Sequence, residues 1–259
     1  MFLPWRLVRV VLLTTMKPIL VVMALLLSAV VSQAAKAKPF MFVPRAAAEP
    51  MPVAVWLHGY RGYSPDGYFP GESREAMQKH ADALGAVILG FPATTDLGDD
   101  SQQWSEEPVA DHAYIQEGIR VLTKGMKVDL KRVGLFGFSQ GAMVAADLAT
   151  LYPESYRGAI LMSPGGMGSP RASELKLPVH ARQVYFCFCG ADEHEGNVTM
   201  TKAYARHLEK VLGARVTLKL YAGVSKHTRP PDTMAQFPTW MGAILKETET
   251  VREEPRPKQ

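Results

Sequence analysis

The chain has 259 residues, 47% of them apolar and 21% charged, with 21 Gly and 19 Pro scattered through it. That length and composition fit one globular domain and exclude collagen, coiled coil and a wholly disordered chain. The formal charge of +4 invites an anionic partner, but Arg6, Arg9 and Lys17 lie within residues 1–34 where there is no acid, so residues 35–259 carry only +1. No Lys/Arg block with interleaved aromatics remains, and nucleic-acid binding is excluded as an expectation.

The N-terminal charges precede an uncharged apolar run of 13 residues, Ile19 to Val31, and then small residues at Ser32, Ala34 and Ala35. This is the layout of a secretory signal, and the run is too short for a membrane span of about 20 residues. The expectation is cleavage after Ala34 and export to the periplasm or medium, with no membrane anchor left; an uncleaved anchor is the competing reading. Met16-Lys17 offers a second possible start. Residues 35–250 then form the folded domain and 251–259 a solvated tail.

From residue 36 short apolar runs alternate with helical patterns. The runs are Val53 to Leu57, Ala86 to Phe91, Arg132 to Gly137, Arg157 to Met162, Gln183 to Phe188 and Arg215 to Tyr221. Near-continuous apolar character at strand length marks strands covered on both faces. The intervening helices are predicted at Ser73 to Leu84, Val109 to Thr123, Gln140 to Tyr152, Val198 to Leu212 and Asp232 to Lys246. Alternation of this kind predicts an α/β fold: a mostly parallel central sheet with helices on both faces, compact, with little or no lid. The site of such a sheet lies at the carboxyl ends of its strands. Gly59 to Gly71 and Thr94 to Pro108 follow two strands and are the candidate cleft walls. Cys187 and Cys189, two apart on one strand, read as buried thiols; a C-x-C metal site lacks further ligands nearby.

Gly137-Phe138-Ser139-Gln140-Gly141 stands between a strand and a helix, which makes it a nucleophile elbow with Ser139 at the apex. A serine hydroxyl is a weak nucleophile and needs a base. His227, in the loop after the strand ending at Tyr221, is the candidate base. Asp192, in Asp192-Glu193-His194-Glu195 after the preceding strand, is the candidate orienting acid, with Glu193 and Glu195 close enough to substitute. The backbone N–H groups of Gln140 and Tyr60 are the candidate oxyanion donors. His58, in the His58-Gly59 pair, reads as structural. Trp104 and Arg61 are candidate substrate contacts, against core packing for the first and an exposed loop for the second. The serine of Met162-Ser163-Pro164 reads as a loop hydroxyl flanking the cleft.

Leu57-His58-Gly59 and Gly137-Phe138-Ser139-Gln140-Gly141 resemble the carboxylesterase and acyl-protein thioesterase branch of the α/β-hydrolases. The leader, the Trp104 loop and Val128 to Val133 look more like feruloyl esterases and polyhydroxybutyrate depolymerase relatives. The chain departs from the thioesterase pattern in Gly141-Ala142, where a second Gly is usual, and in lacking Asp-x-x-Val-Pro at the acid loop. The resemblance implies a serine hydrolase that cleaves a small-molecule or polymer-derived carboxylic ester through a Ser-His-Asp acyl-enzyme, without metal or organic cofactor. Thioesterase, serine peptidase and a non-catalytic binding relative are the other readings.

Overall fold

The computed structural model describes residues 38–62, 73–98, 101–105, 107–164, 182–210 and 212–246. The expected leader over residues 1–34, the expected tail over 251–259 and most of the Gly59 to Gly71 wall lie outside these residues. Within them run the strands β1 (Phe40–Phe42), β2 (Met51–Leu57), β3 (Val87–Gly90), β4 (Thr95–Gly98), β5 (Ser101–Gln103), β6 (Val128–Phe138), β7 (Gly158–Met162), β8 (Val184–Gly190) and β9 (Arg215–Tyr221). The helices are α1 (Arg74–Leu84), α2 (Pro108–Leu122), α3 (Gln140–Leu151), α4 (Glu195–Lys210) and α5 (Thr233–Leu245).

Seven strands form one sheet in the order β1-β3-β2-β6-β7-β8-β9, parallel throughout except that β1 runs antiparallel to β3. Alternate side chains of β2 enter opposite cores, as the pleat requires. Val53, Val55 and Leu57 join Ile115 and Ile119 of α2, Ala145 and Leu148 of α3 and Leu208 of α4. Ala54 and Trp56 join Met77 of α1 and Phe237 and Met241 of α5. The α/β-hydrolase expectation of a covered, mostly parallel sheet is therefore met. Cys187 and Cys189 are free and buried.

Two features escaped the sequence reading. The short β1 lies on the sheet edge, and the wall from Thr94 contains the β4–β5 hairpin, a separate two-stranded sheet. β1 is apolar but only three residues long, and β4 and β5 are short and mostly polar, so none shows the run of roughly four to eight apolar residues that marks a buried strand.

Pairing brings Leu57 opposite Gly137, Phe138 opposite Met162, and Gly190 opposite Tyr221, so the loops after β2, β6, β7, β8 and β9 leave from one sheet edge. The ladder extends past the strand ends. Ser139 N–H donates to Met162 O at 2.9 Å, Ser163 N–H to Phe188 O at 2.7 Å, and Ala191 N–H to Tyr221 O at 2.9 Å. The loops after β6, β7 and β8 thus each start tied to the next strand of the sheet.

Candidate active site

Ser139 sits at φ 55°, ψ −121°, between β6 and α3. A side chain in that region is strained, and the surroundings must hold it there. Contacts of the two flanking glycines show how. A Cβ at Gly137 would fall 2.1 Å from Gly141 O, and one at Gly141 would fall 2.2 Å from Leu57 O and 2.5 Å from His58 O. Only glycine lets the elbow fold so tightly while α3 presses on the end of β2. Strand, turn and helix geometry together push the Ser139 hydroxyl out over the edge.

His227, in the loop after β9, places Nε2 at 2.8 Å from Ser139 Oγ. Its Nδ1 lies 2.5 Å from Glu193 Oε1, so the ring bridges the hydroxyl and a carboxylate. With Nδ1–H donating to the carboxylate, Nε2 is left to accept the serine proton. Phe138 stacks against the imidazole at 4.8 Å between ring centroids, which fixes the plane of the ring.

The residue against the imidazole is Glu193, not the expected Asp192. Asp192 accepts from Gly223 N–H at 2.8 Å and its own N–H donates to Val224 O at 3.2 Å. Asp192 is exposed and spent on joining the loops after β8 and β9. Glu193 turns inward: its side chain is 1% exposed, against 40% for His227. Glu195 opens α4 on the exposed side.

Glu193 is well supplied with donors. Oε1 receives Asn197 Nδ2 at 2.6 Å besides His227, and Oε2 receives Ser163 Oγ at 2.9 Å, Cys189 Sγ at 3.3 Å and Gly190 N–H at 3.4 Å. Burial works to raise its pKa, but the hydrogen bonds from His227, Asn197, Cys189 and Ser163 outweigh it and hold the carboxyl below its ordinary value. The carboxylate is therefore ionised and able to face an imidazolium. Its neighbour Cys189 is pushed the other way, up to about 11, first by burial and then by this carboxylate.

The loop after β2 closes the other side. Gly59 packs on the nucleophile, since an added Cβ there would sit 3.1 Å from Ser139 Cβ. Tyr60 follows, exposed, with Arg61 beside it at φ 57° and also exposed. Arg61 N–H donates to Gln102 O at 3.0 Å, which ties this loop to the β4–β5 hairpin, while its guanidinium lies over the Tyr60 ring. Gln140 opens α3, so its N–H belongs to the first turn, where no intrahelical acceptor exists. Its side chain is engaged elsewhere: Oε1 accepts from Trp104 N–H at 3.1 Å.

For Trp104 the structure favours core packing over a substrate contact. The side chain is fully buried, and its indole Nε1–H donates to His58 O at 2.9 Å. Its role is to hold the loop carrying Gly59 and Tyr60 against the sheet. His58 does the same from beneath, as the residue pattern suggests. Its Nδ1–H donates to Gly59 O at 2.7 Å and its Nε2 accepts from Ala93 N–H at 3.1 Å, which requires the neutral ring. Burial pushes its pKa down to about 4, the hydrogen bond to Gly59 only partly opposing. Ser163, Asn197 and Cys189 carry no motif that would have identified them as partners of the carboxylate. Among the described residues no group of three or more His, Cys, Asp or Glu is arranged to hold a metal, and no helix is long and apolar enough to cross a membrane.

The sequence profile of the phospholipase/carboxylesterase family of α/β-hydrolases matches residues 95–244, more than half of the chain and the whole of the Ser139, Glu193 and His227 array. The chain belongs to the phospholipase/carboxylesterase family. The loop after β2 lies upstream of the matched stretch. A curated relative of this family member is NocK of Nocardia uniformis subsp. tsuyamanensis, named as an esterase, at 29% identity over 133 residues. That alignment takes in 48% of the chain and only 36% of NocK, so the chain spans well under half the length of this relative. Solved structures agree on the fold. The Bacillus cereus carboxylesterase superposes with a TM-score of 0.62 at 19% identity, covering 81% of this phospholipase/carboxylesterase-family chain and 95% of its own. An S-formylglutathione hydrolase from Agrobacterium tumefaciens gives 0.58 at 17% identity, covering 80% and 90%.

Proposed function

We propose that this chain is a serine esterase, hydrolysing carboxylic esters in two steps with Ser139 as nucleophile, His227 as base and Glu193 as the acid that steadies the imidazolium. The carrying observation is the single ring that joins them, 2.8 Å from Ser139 Oγ and 2.5 Å from Glu193 Oε1. In acylation His227 Nε2 takes the Ser139 proton as Oγ attacks the ester carbonyl. The oxyanion is held by the amides of Gln140 and Tyr60, and the proton then passes to the leaving alcohol. In deacylation the same imidazole takes a proton from water, which attacks the acyl carbonyl and releases the acid and Oγ–H. The chain supplies nucleophile, base, acid and amide donors itself, so this scheme calls on no metal or organic cofactor.

The substrate is a small or polymer-derived ester whose acyl group lies against the loop of Tyr60 and Arg61. The test is hydrolysis of p-nitrophenyl acetate and butyrate, with matched thioesters and anilides, by the mature protein and by Ser139→Ala. Ester turnover that disappears in Ser139→Ala, together with fluorophosphonate labelling of Ser139, is the expected result; turnover unchanged in that variant would reject the scheme. Greater activity on thioesters or anilides would move the substrate class.

Export belongs to the same reading. The basic start, the Ile19 to Val31 run and the Ser32-Gln33-Ala34 site support a cleaved leader and a periplasmic or secreted enzyme. The N-terminus of protein recovered from periplasm and medium, read by mass spectrometry, should begin at Ala35 to within a few residues; intact leader on all recovered protein would reject this.

A further inference from the structure

Ser163 follows β7 with φ 44°, a conformation that favours glycine, and is fully buried. A glycine would hold that backbone without strain. What serine adds is a hydroxyl, and that hydroxyl donates to Glu193 Oε2 at 2.9 Å. The other contacts on Oε2 are weaker: a thiol at 3.3 Å, a poor donor, and an amide at 3.4 Å, near the limit of a hydrogen bond. Oε1 is already committed to His227 and Asn197. Rotation of the carboxylate is thus governed at its far end by Ser163.

We propose that Ser163 is a positioning residue of the catalytic apparatus, its hydroxyl fixing Oε2 so that Oε1 faces the imidazole with its negative charge intact. This rests on the serine-hydrolase reading above. Ser163 touches neither the nucleophile nor the imidazole and acts through the carboxylate. Its own position is well determined, because its N–H is held by Phe188 O at 2.7 Å and the preceding Met162 O receives the Ser139 N–H. One loop therefore sets both the turn of the nucleophile and the orientation of the acid. The titratable groups in contact with Glu193 among the described residues are His227 and the Cys189 thiol, so loss of the hydroxyl removes the principal neutral donor on Oε2. The buried carboxyl would then take up a proton at a higher pH.

The experiment compares Ser163→Gly and Ser163→Ala with wild type, Cys189→Ala and Glu193→Gln, measuring kcat, KM and the pH profile on p-nitrophenyl acetate alongside thermal unfolding. Both Ser163 variants should lose kcat roughly tenfold with KM little changed, the loss expected for a hydrogen bond to a charged group. The acidic limb of kcat/KM should move to higher pH. Ser163→Gly, free of the φ strain, should melt closer to wild type than Ser163→Ala while being as impaired. Cys189→Ala should cost less than about threefold, its thiol being the weaker donor. Glu193→Gln separates the two levels. Full activity in Glu193→Gln would overturn the site reading and this inference together. Impairment of Glu193→Gln beside unchanged kcat and an unmoved acidic limb in both Ser163 variants would overturn this inference alone.

Discussion

Asp192 and Glu193 are neighbours in the chain whose carboxylates serve different loops: Asp192 Oδ2 accepts from Gly223 N–H at 2.8 Å, while Glu193 Oε1 meets His227 Nδ1 at 2.5 Å. One is exposed and structural, the other buried and directed at the imidazole. Glu193→Gln should lower kcat by roughly 10³-fold or more, the scale seen when the triad acid loses its charge. Asp192→Asn should leave kcat within about threefold and cost about 1 kcal/mol of stability, the worth of a hydrogen bond. Steady-state kinetics and urea unfolding of the two variants check the ranking; a larger kcat loss in Asp192→Asn would return the role to the aspartate.

The elbow should not tolerate a methyl group. At Gly141 the added Cβ of alanine would stand 2.2 Å from Leu57 O and 2.5 Å from His58 O, both backbone atoms in the sheet edge. Neither can move without breaking the end of β2. Gly141→Ala should therefore lose about 3 kcal/mol or more, at the upper end for overpacking, and most of its activity, read by urea midpoint and by ester hydrolysis.

How much of this was legible in the sequence follows from where the determinants lie. The strands buried on both faces and the helices between them were visible as apolar runs and helical periodicity, and the Gly137 to Gly141 pentapeptide placed Ser139 between strand and helix. His227 was reachable because a base must come from a loop on the same edge. The choice between Asp192 and Glu193 was not legible. It depends on a turn whose hydrogen bonds to Gly223 and Val224 spend the aspartate, and on a buried gap that the longer side chain spans. Trp104 stays open in the sequence between core packing and a substrate contact, because an aromatic in a polar loop looks the same whether its indole faces a ligand or donates to His58 O.

Trp104→Phe tests the core-packing role. The substitution leaves His58 O without its buried donor and should cost about 1–3 kcal/mol. Since Trp104 is fully buried, the ratio of kcat/KM between acetate and butyrate esters should stay within about twofold of wild type. A changed chain-length preference at unchanged stability would restore the substrate-contact role.

Two buried groups set opposing responses to acid. His58 has its pKa lowered from 6.5 to about 4, so the unfolded chain takes up a proton that the native ring refuses, and stability is lost as pH falls from 6.5 toward 4. Asp111, at the start of α2, is raised from 3.8 to about 6, chiefly by burial, with the hydrogen bond from Ser105 opposing. The native state therefore takes up that proton first, and gains stability as pH falls from 6 toward 3.8. Asp111→Asn removes the gain and leaves the loss. Relative to wild type, Asp111→Asn should lose about 2 kcal/mol between pH 7 and pH 4.5, a shift read from urea midpoints at the two pH values. Parallel pH curves for the two proteins would contradict the assignment.

The edge bonds from Ser139 to Met162, from Ser163 to Phe188 and from Ala191 to Tyr221 have a meaning for the lifetime of the site. They make the nucleophile, the glutamate and its hydroxyl partner part of one continuous hydrogen-bonded fabric with the four central and edge strands that bear them. A loop of this kind does not open by itself; its amides are released from solvent protection only when neighbouring strands part. Loss of catalytic geometry and loss of the sheet become one cooperative event, and the loop of Tyr60 and Arg61, exposed at those two residues and tied to the hairpin through the Arg61 N–H, is the face the site turns toward what it receives.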